Sequence, residues 1–206
     1  MDKKYLYILY NNLFKYLDYR DSPKPNLLSK DEFIENISSS SMIIIESGKI
    51  CIILTLPNGK YSVLGADGKK KLKDISSTNK FEEILYICDI NYVNTRTATS
   101  LNTVKKIIAD LKSSYKNIWF QVRPYNTFEL VIPVCSEIVP HRLISKKEAD
   151  EYLNTEYKNK STIPQICEFE PILTWMGIRS GSFVEIERLS VSVMSHKIIR
   201  YTVDGY

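Results

Sequence analysis

The chain has 206 residues, 44% of them hydrophobic and 25% charged, with a formal net charge of +4. That length and apolar content suffice for one or two globular domains with a real core and exclude a disordered tail. No apolar run approaches the roughly 20 residues that span a bilayer, and the opening residues lead into no long apolar stretch with a small-residue cleavage site, so a soluble intracellular protein is expected.

Leu6, Leu9, Leu13, Phe14 and Leu17 recur at helical spacing ahead of Pro23 and Pro25, which predicts an opening helix. Ser29-Lys-Asp-Glu32 has the pattern of a capping box and predicts a second, short helix ending over Ser38 to Ser41. From Met42 the apolar runs shorten: Met42–Glu46, Ile50–Leu56 and Tyr61–Leu64 read as three strands of an antiparallel meander. Their breaks are Ser47-Gly48 and Pro57-Asn58-Gly59. Gly65-Ala-Asp-Gly68 reads as a further turn and Lys69 to Lys73 as an exposed basic edge. Ile84–Cys88 reads as a buried strand, Leu101, Val104, Ile107, Ile108 and Leu111 as the apolar face of a helix capped by Ser100, and Asn117–Val122 and Phe128–Pro133 as strands. A strand, helix, strand succession requires a sheet with at least one parallel pair, so residues 1–133 are expected to form an α/β domain.

Residues 134–206 read as a compact α+β domain. A turn over Ile138–Ile144 leads to a second capping box, Ser145-Lys-Lys-Glu148, and a helix through Asn154. Pro171 is expected to start a helical turn that ends at Gly177, and Phe183–Arg188 and Lys197–Val203 are expected to be strands. Charge divides unevenly: residues 1–133 hold 19 Lys and Arg against 14 Asp and Glu, a net +5, while residues 134–206 hold 9 against 10. A solvated surface accounts for that excess more simply than a DNA-binding patch does.

The sequence offers little chemistry. Cys51, Cys88, Cys135 and Cys167 lie more than 30 residues apart. Cysteines so spaced do not form a zinc site, and Cys51, Cys88 and Cys135 sit inside apolar runs where reduced, buried thiols are expected. His141 and His196 are the only histidines, His141 expected in a packing or hinge position and His196 in a surface turn. No nucleophile elbow, zincin helix or Walker loop is present. Gly177-Ile-Arg-Ser-Gly181 precedes a strand rather than opening a helix, so it reads as a turn and not as a phosphate cradle. Glu185 and Glu187 could in principle hold a divalent ion for a nuclease. Their alternation with Val184 and Ile186 fits a solvated or interface face better.

Thr162-Ile-Pro-Gln-Ile166, the string from Glu170 to Arg188, Ser190 and Arg200-Tyr201 together resemble the assembly domain of the fifth-subunit family of eukaryotic DNA-directed RNA polymerases, a family that includes its archaeal counterpart. The spacing extends back through Val139-Pro140-His141-Arg142 and Ser145 to Tyr157. Within it stand an acidic-Pro pair, an aromatic-aliphatic-Gly triplet, Gly-x-Arg-x-Gly and an alternating strand ending in Arg. The sequence departs from the family at Glu170, where Asp is usual, at Ser190-Val191-Ser192 for Ser-Glu-Thr, and at Met194 for Gly. These departures and the composition are similar to versions carried by large cytoplasmic DNA viruses.

The resemblance implies a non-catalytic polymerase subunit. Its 134–206 assembly domain would dock on the largest subunit, near neighbouring small subunits, through Glu170, Pro171, Trp175, Gly177, Arg179, Gly181, Arg188 and Arg200, although by residue type Trp175 and Met176 read more simply as core than as exposed anchors. Its 1–133 jaw domain is similar in layout to a restriction-endonuclease core without catalytic acids and would lie beside downstream duplex DNA. There Lys69, Lys70, Lys71 and Lys73 would make sequence-independent phosphate contacts. The jaw loop of cellular members, Thr-Pro-Ser-Ala, corresponds to Thr97-Ala-Thr-Ser100, which lacks the proline. No metal, cofactor, membrane or homo-oligomer is implied. The expected location is the host cytoplasm and the virion for a viral chain, the nucleus for a cellular one. A degenerate or metal-dependent nuclease and a free-standing adaptor for transcription factors are the alternatives.

Overall fold

In the computed structural model, which describes residues 3–91, 99–134, 140–155, 159, 161–188 and 196–205, the stripe of Leu6, Leu9, Leu13 and Leu17 becomes the buried face of α1 (Lys3–Tyr19). α2 (Lys30–Ser40) begins at the expected capping box: the Ser29 hydroxyl accepts the Glu32 N–H, and the Glu32 carboxylate accepts the Ser29 N–H. Two orphan donors of the first turn are satisfied in this way. The Tyr10 and Phe33 rings, 4.8 Å apart, join the two helices.

The next elements build a four-stranded sheet in the order β1-β2-β3-β6. β1 (Met42–Ser47) and β2 (Ile50–Thr55) form an antiparallel hairpin, and α3 (Ala66–Ser76) carries the chain on to β3 (Glu83–Ile87), parallel to β2. After the two-residue bridges β4 (Ile90–Asn91) and β5 (Thr99–Ser100), α4 (Leu101–Ser114) leads to β6 (Trp119–Arg123), parallel to β3. Cys51, Ile53, Ile84, Tyr86, Phe120 and Val122 form one core with Leu72 of α3 and with Val104, Ile108 and Leu111 of α4. Residues of the other parity face α1. There the Glu83 carboxylate, 2% exposed, accepts from Tyr16 Oη at 2.9 Å, Arg20 Nη2 at 2.8 Å and Gln121 Nε2 at 2.8 Å. A carboxylate is tolerated at that depth because its neighbours are donors.

The expected meander stops at two strands. Tyr61–Leu64 is not a strand: Ser62 N–H and Oγ both bond to Gly59 O, and Gly65 N–H bonds to Val63 O, which curls the segment into turns. Gly65–Gly68 and the lysine run are not a turn and an edge either, since they open and fill α3. Gly68 is there for close approach, because a Cβ at that position would stand 2.9 Å from Tyr86 Oη and 3.0 Å from Leu64 Cδ1. Phe128–Pro133 is likewise not a strand but parts of two 3-10 turns, Tyr125–Phe128 and Ile132–Val134. Asn12 Nδ2 donates to the carbonyls of Phe128 and Glu129 at 2.9 and 3.1 Å, taking acceptors that a ladder would have used.

The chain divides between Leu130 and Val131 into two compact units. In the second, β7 (His141–Leu143), β9 (Phe183–Arg188), β10 (His196–Val203) and β8 (Gln165–Cys167) lie in that order, with only the β10 to β8 pair parallel. His141 therefore belongs to a strand instead of a turn, and His196 is the first residue of β10, paired with Arg188, instead of part of a turn. α5 (Lys146–Thr155) opens at the Ser145 and Glu148 capping box and covers one sheet face, with Ala149 against Phe183 and Ile163. α6 (Pro171–Met176) covers the other through Leu173, against Ile166, Val184 and Ile186. Both faces being covered, the small sheet supports a core of its own.

Candidate docking surface

α6 ends in a turn that fixes the shape of the following loop. Gly177, at φ 67°, donates its N–H to Thr174 O at 3.1 Å, and Ile178 N–H reaches Leu173 O at 3.0 Å. This is a Schellman closure, and Ile178 and Leu173 share its accompanying apolar contact. The left-handed conformation favours glycine, as does φ 89° at Gly181. Pro171 occupies the first helical turn, where a missing N–H costs nothing, and Glu170 is exposed at the N-cap with its carbonyl accepting Thr174 N–H.

Between the two glycines the loop is pinned from beneath. The Thr202 hydroxyl, wholly buried, donates to Arg179 O at 2.8 Å and accepts Ser182 N–H at 2.8 Å, while Gly181 N–H bonds to Thr202 O at 2.9 Å. The buried Glu168 carboxylate accepts Ser180 N–H at 3.1 Å. Arg179 and Gly181 are thus exposed on a loop whose backbone groups are bonded inward. Thr202 and Glu168 escaped the sequence reading because their partners lie 12 to 23 residues away along the chain.

The remaining residues of the expected interface fall differently. Trp175 is fully buried and supports α6 from within rather than presenting itself. Arg200 is half-buried on β10, where Nη1 donates to Gln165 O at 3.2 Å and Nε is buried without a hydrogen-bond partner among the described residues. Of Arg188 only the backbone is described. Val139, Tyr157, Ser190, Val191, Ser192, Met194, Cys135, Thr97 and Ala98 lie outside the described residues. Leu143, 52% exposed, stands on the rim of an open groove of about 450 Å³ that runs past Ala149 to Gly181 and Phe183.

Glu185 is committed to cations. Arg142 Nη2 lies 3.3 Å from it and Lys197 Nζ 3.2 Å, and Arg142 also pairs with Glu148 at 2.8 Å. Arg142 holds the Glu185 carboxyl below the usual range, and it draws Glu148 down to about 2 with help from the Ser145 N–H. Glu187 faces Lys197 across the strand pair. This is a cross-strand ion network, with the carboxylates already matched to ammonium and guanidinium groups. Among the described residues no three His, Cys, Asp or Glu side chains cluster as metal ligands would.

In the N-terminal unit the four lysines do not form one face. Lys69 and Lys73 approach Asp110 of α4 at 2.8 and 3.5 Å, Lys70 is exposed, and Lys71 is partly buried near Tyr61 and Ile44. Cys51 and Cys88 are buried, reduced thiols, and burial pushes the Cys51 thiol up to about 12. No helix among the described residues is long and apolar enough to cross a membrane.

Residues 136–202, nearly all of the second unit, match the family model described as RNA polymerase Rpb5, C-terminal domain. Over 203 residues, 94% of this chain and 95% of the other, the sequence is 29% identical to a protein of African swine fever virus, warthog isolate from Namibia, named DNA-directed RNA polymerase RPB5 homolog. A protein of the same name from a Kenyan pig isolate is 28% identical over the same shares.

Proposed function

We propose that this chain belongs to the Rpb5 family of RNA polymerase subunits and is a non-catalytic subunit of a multisubunit DNA-directed RNA polymerase. Residues 134–206 act as the assembly domain and dock on the largest subunit, beside neighbouring small subunits. Residues 1–133 act as the jaw domain near downstream DNA. The observation that carries the docking role is the Gly177–Gly181 loop: its backbone is bonded inward to Thr202 and Glu168, and it holds Arg179 outward on a fixed frame. A preformed loop loses little conformational entropy on association, and an arginine on it can pair with carboxylates or carbonyls of another chain. The ion network that occupies Glu185 weighs against a nuclease, since a metal would have to displace Arg142 and Lys197. The place of action is that of the polymerase, the host cytoplasm and virion of a large DNA virus.

Arg179→Glu in the tagged full-length chain tests the docking role. Reversal of one interface charge is expected to lower recovery of the largest polymerase subunit at least about tenfold, the scale of 1.4 kcal/mol, with an unchanged melting curve. Undiminished recovery would remove the loop from the interface.

A further inference from the structure

β1 is an edge of the four-stranded sheet, with β2 on one side and no strand on the other among the described residues. Leu56 N–H bonds to Ser41 O at 2.9 Å, directly across the hairpin, and antiparallel residues alternate between pairs that exchange hydrogen bonds and pairs that do not. Ile43, Ile45 and Ser47 therefore bond to β2, while Met42, Ile44 and Glu46 turn their N–H and C=O groups outward. Both ends of this edge are guarded. Ser40 Oγ accepts Met42 N–H at 3.4 Å and donates to Met42 O, and the Glu46 side chain pairs with Lys80. Charged and locally satisfied groups of this kind protect an edge from unwanted pairing. Ile44, between them, has neither guard: its outward N–H and C=O have no hydrogen-bond partner among the described residues, and its side chain is 36% exposed.

An open groove of about 520 Å³ lies along this edge. Met42 packs into the core under α3 and α4, so Ile44, of the same parity, faces the α3 side and Ile43 the α2 side. The groove accordingly has two walls, Leu28 and Asn36 with Ile43 on one side and Tyr61 and Lys71 with Ile44 on the other. Lys71 is partly buried there and has no ion pair among the described residues. We infer that the β1 edge takes up an extended acidic segment of another protein as an added strand, which pairs its backbone with Ile44 and Glu46 and sets a carboxylate against Lys71. In strand addition the main-chain bonds supply affinity and the pockets for alternate side chains supply specificity. An apolar side chain of the segment meets Leu28 and Ile43, and its neighbour, which points to the opposite face, meets Lys71. The occupant is a free segment rather than a second copy, because the edge is recessed between α2 and α3 and an identical recessed edge does not reach it.

Amide spectra of the isotope-labelled full-length chain, titrated with a capped six-residue peptide, the length of β1, in which Val alternates with Asp, test this. The Ile44 and Glu46 amides should shift and gain protection from exchange, whereas those of Ile43 and Ile45, already in the ladder, should change little. A peptide that alternates Val with Lys should bind about fivefold more weakly, the scale of one ion pair exchanged for a like-charge contact, and Lys71→Glu should reverse that order. Ile44→Pro removes an N–H that bonds to nothing in the free chain and should abolish binding. N-methylation of the two central residues of the peptide should do the same and leaves the protein untouched, so the loss cannot be one of folding. An acidic peptide that at millimolar concentration leaves the Ile44 and Glu46 amides in place would overturn the assignment. So would an order of peptides unchanged in Lys71→Glu, or full binding by the N-methylated peptide. Protection of the same amides in a concentration-dependent dimer without peptide would also overturn it, by making the occupant a second copy.

Discussion

Thr202→Val isolates the clamp under the Gly177–Gly181 loop. Valine keeps the volume and branching of threonine, so the wholly buried site stays filled, but it removes a hydroxyl that donates to Arg179 O and accepts Ser182 N–H, each at 2.8 Å. A buried polar group left without its partner costs about 1–3 kcal/mol. Ser182 is only half-buried and Arg179 is exposed, so water can recover part of this loss and the lower end applies to each. The sum is about 2 kcal/mol. For a unit of this size each kcal/mol moves the midpoint by about 4–8 °C, which gives a fall of about 10 °C in the transition of the C-terminal unit. Thr202→Ser keeps the hydroxyl and loses one methyl, about 1 kcal/mol, so it should fall about half as far. Scanning calorimetry gives the midpoints, and amide exchange reads Ser182 N–H, which should lose protection in the valine variant and retain it in the serine variant. Wild-type melting and a protected Ser182 amide in Thr202→Val would refute the clamp.

Other substitutions test neighbouring parts. Gly177→Ala forces a side chain into φ 67° and should cost about 1–2 kcal/mol in urea titrations, with no loss if the helix end is not left-handed. Arg20→Met strands the buried Glu83 carboxylate from its guanidinium and should destabilise the N-terminal unit by about 3 kcal/mol, a value that equilibrium unfolding would contradict if it stayed near zero. Glu148 and Glu185 are both held below the unfolded carboxylate value of about 4.3 by Arg142. Folding therefore favours their charged forms, and the stabilisation is complete above that value and lost as pH falls toward about 2. Arg142→Gln should flatten the dependence of melting temperature on pH over this acid range, and an unchanged slope would exclude the network as its source.

What the sequence revealed was local chemistry. Both capping boxes, Ser29 with Glu32 and Ser145 with Glu148, were legible because donor and acceptor sit three residues apart. The end of α6 was legible because Gly177 is the residue a left-handed cap favours. Tyr61–Leu64 and Phe128–Pro133 were misread because runs of four to six residues carry too little period to separate a strand from a packed turn. Asn12, which captures the carbonyls of Phe128 and Glu129, is more than 100 residues away in the chain. The lysine run misled for a related reason: composition shows a charge cluster, but only the fold brings Asp110 onto Lys69 and Lys73. Gly68 looked like a turn residue because close approach to Tyr86 leaves no mark in local pattern.

The docking role of the Gly177–Gly181 loop presupposes that the chain works inside a polymerase. Native mass spectrometry of complexes recovered through a tag on the full-length chain measures that directly. The account predicts a multisubunit assembly containing one copy of this chain together with the largest polymerase subunit, and recovery of the chain alone, or with itself only, would contradict it.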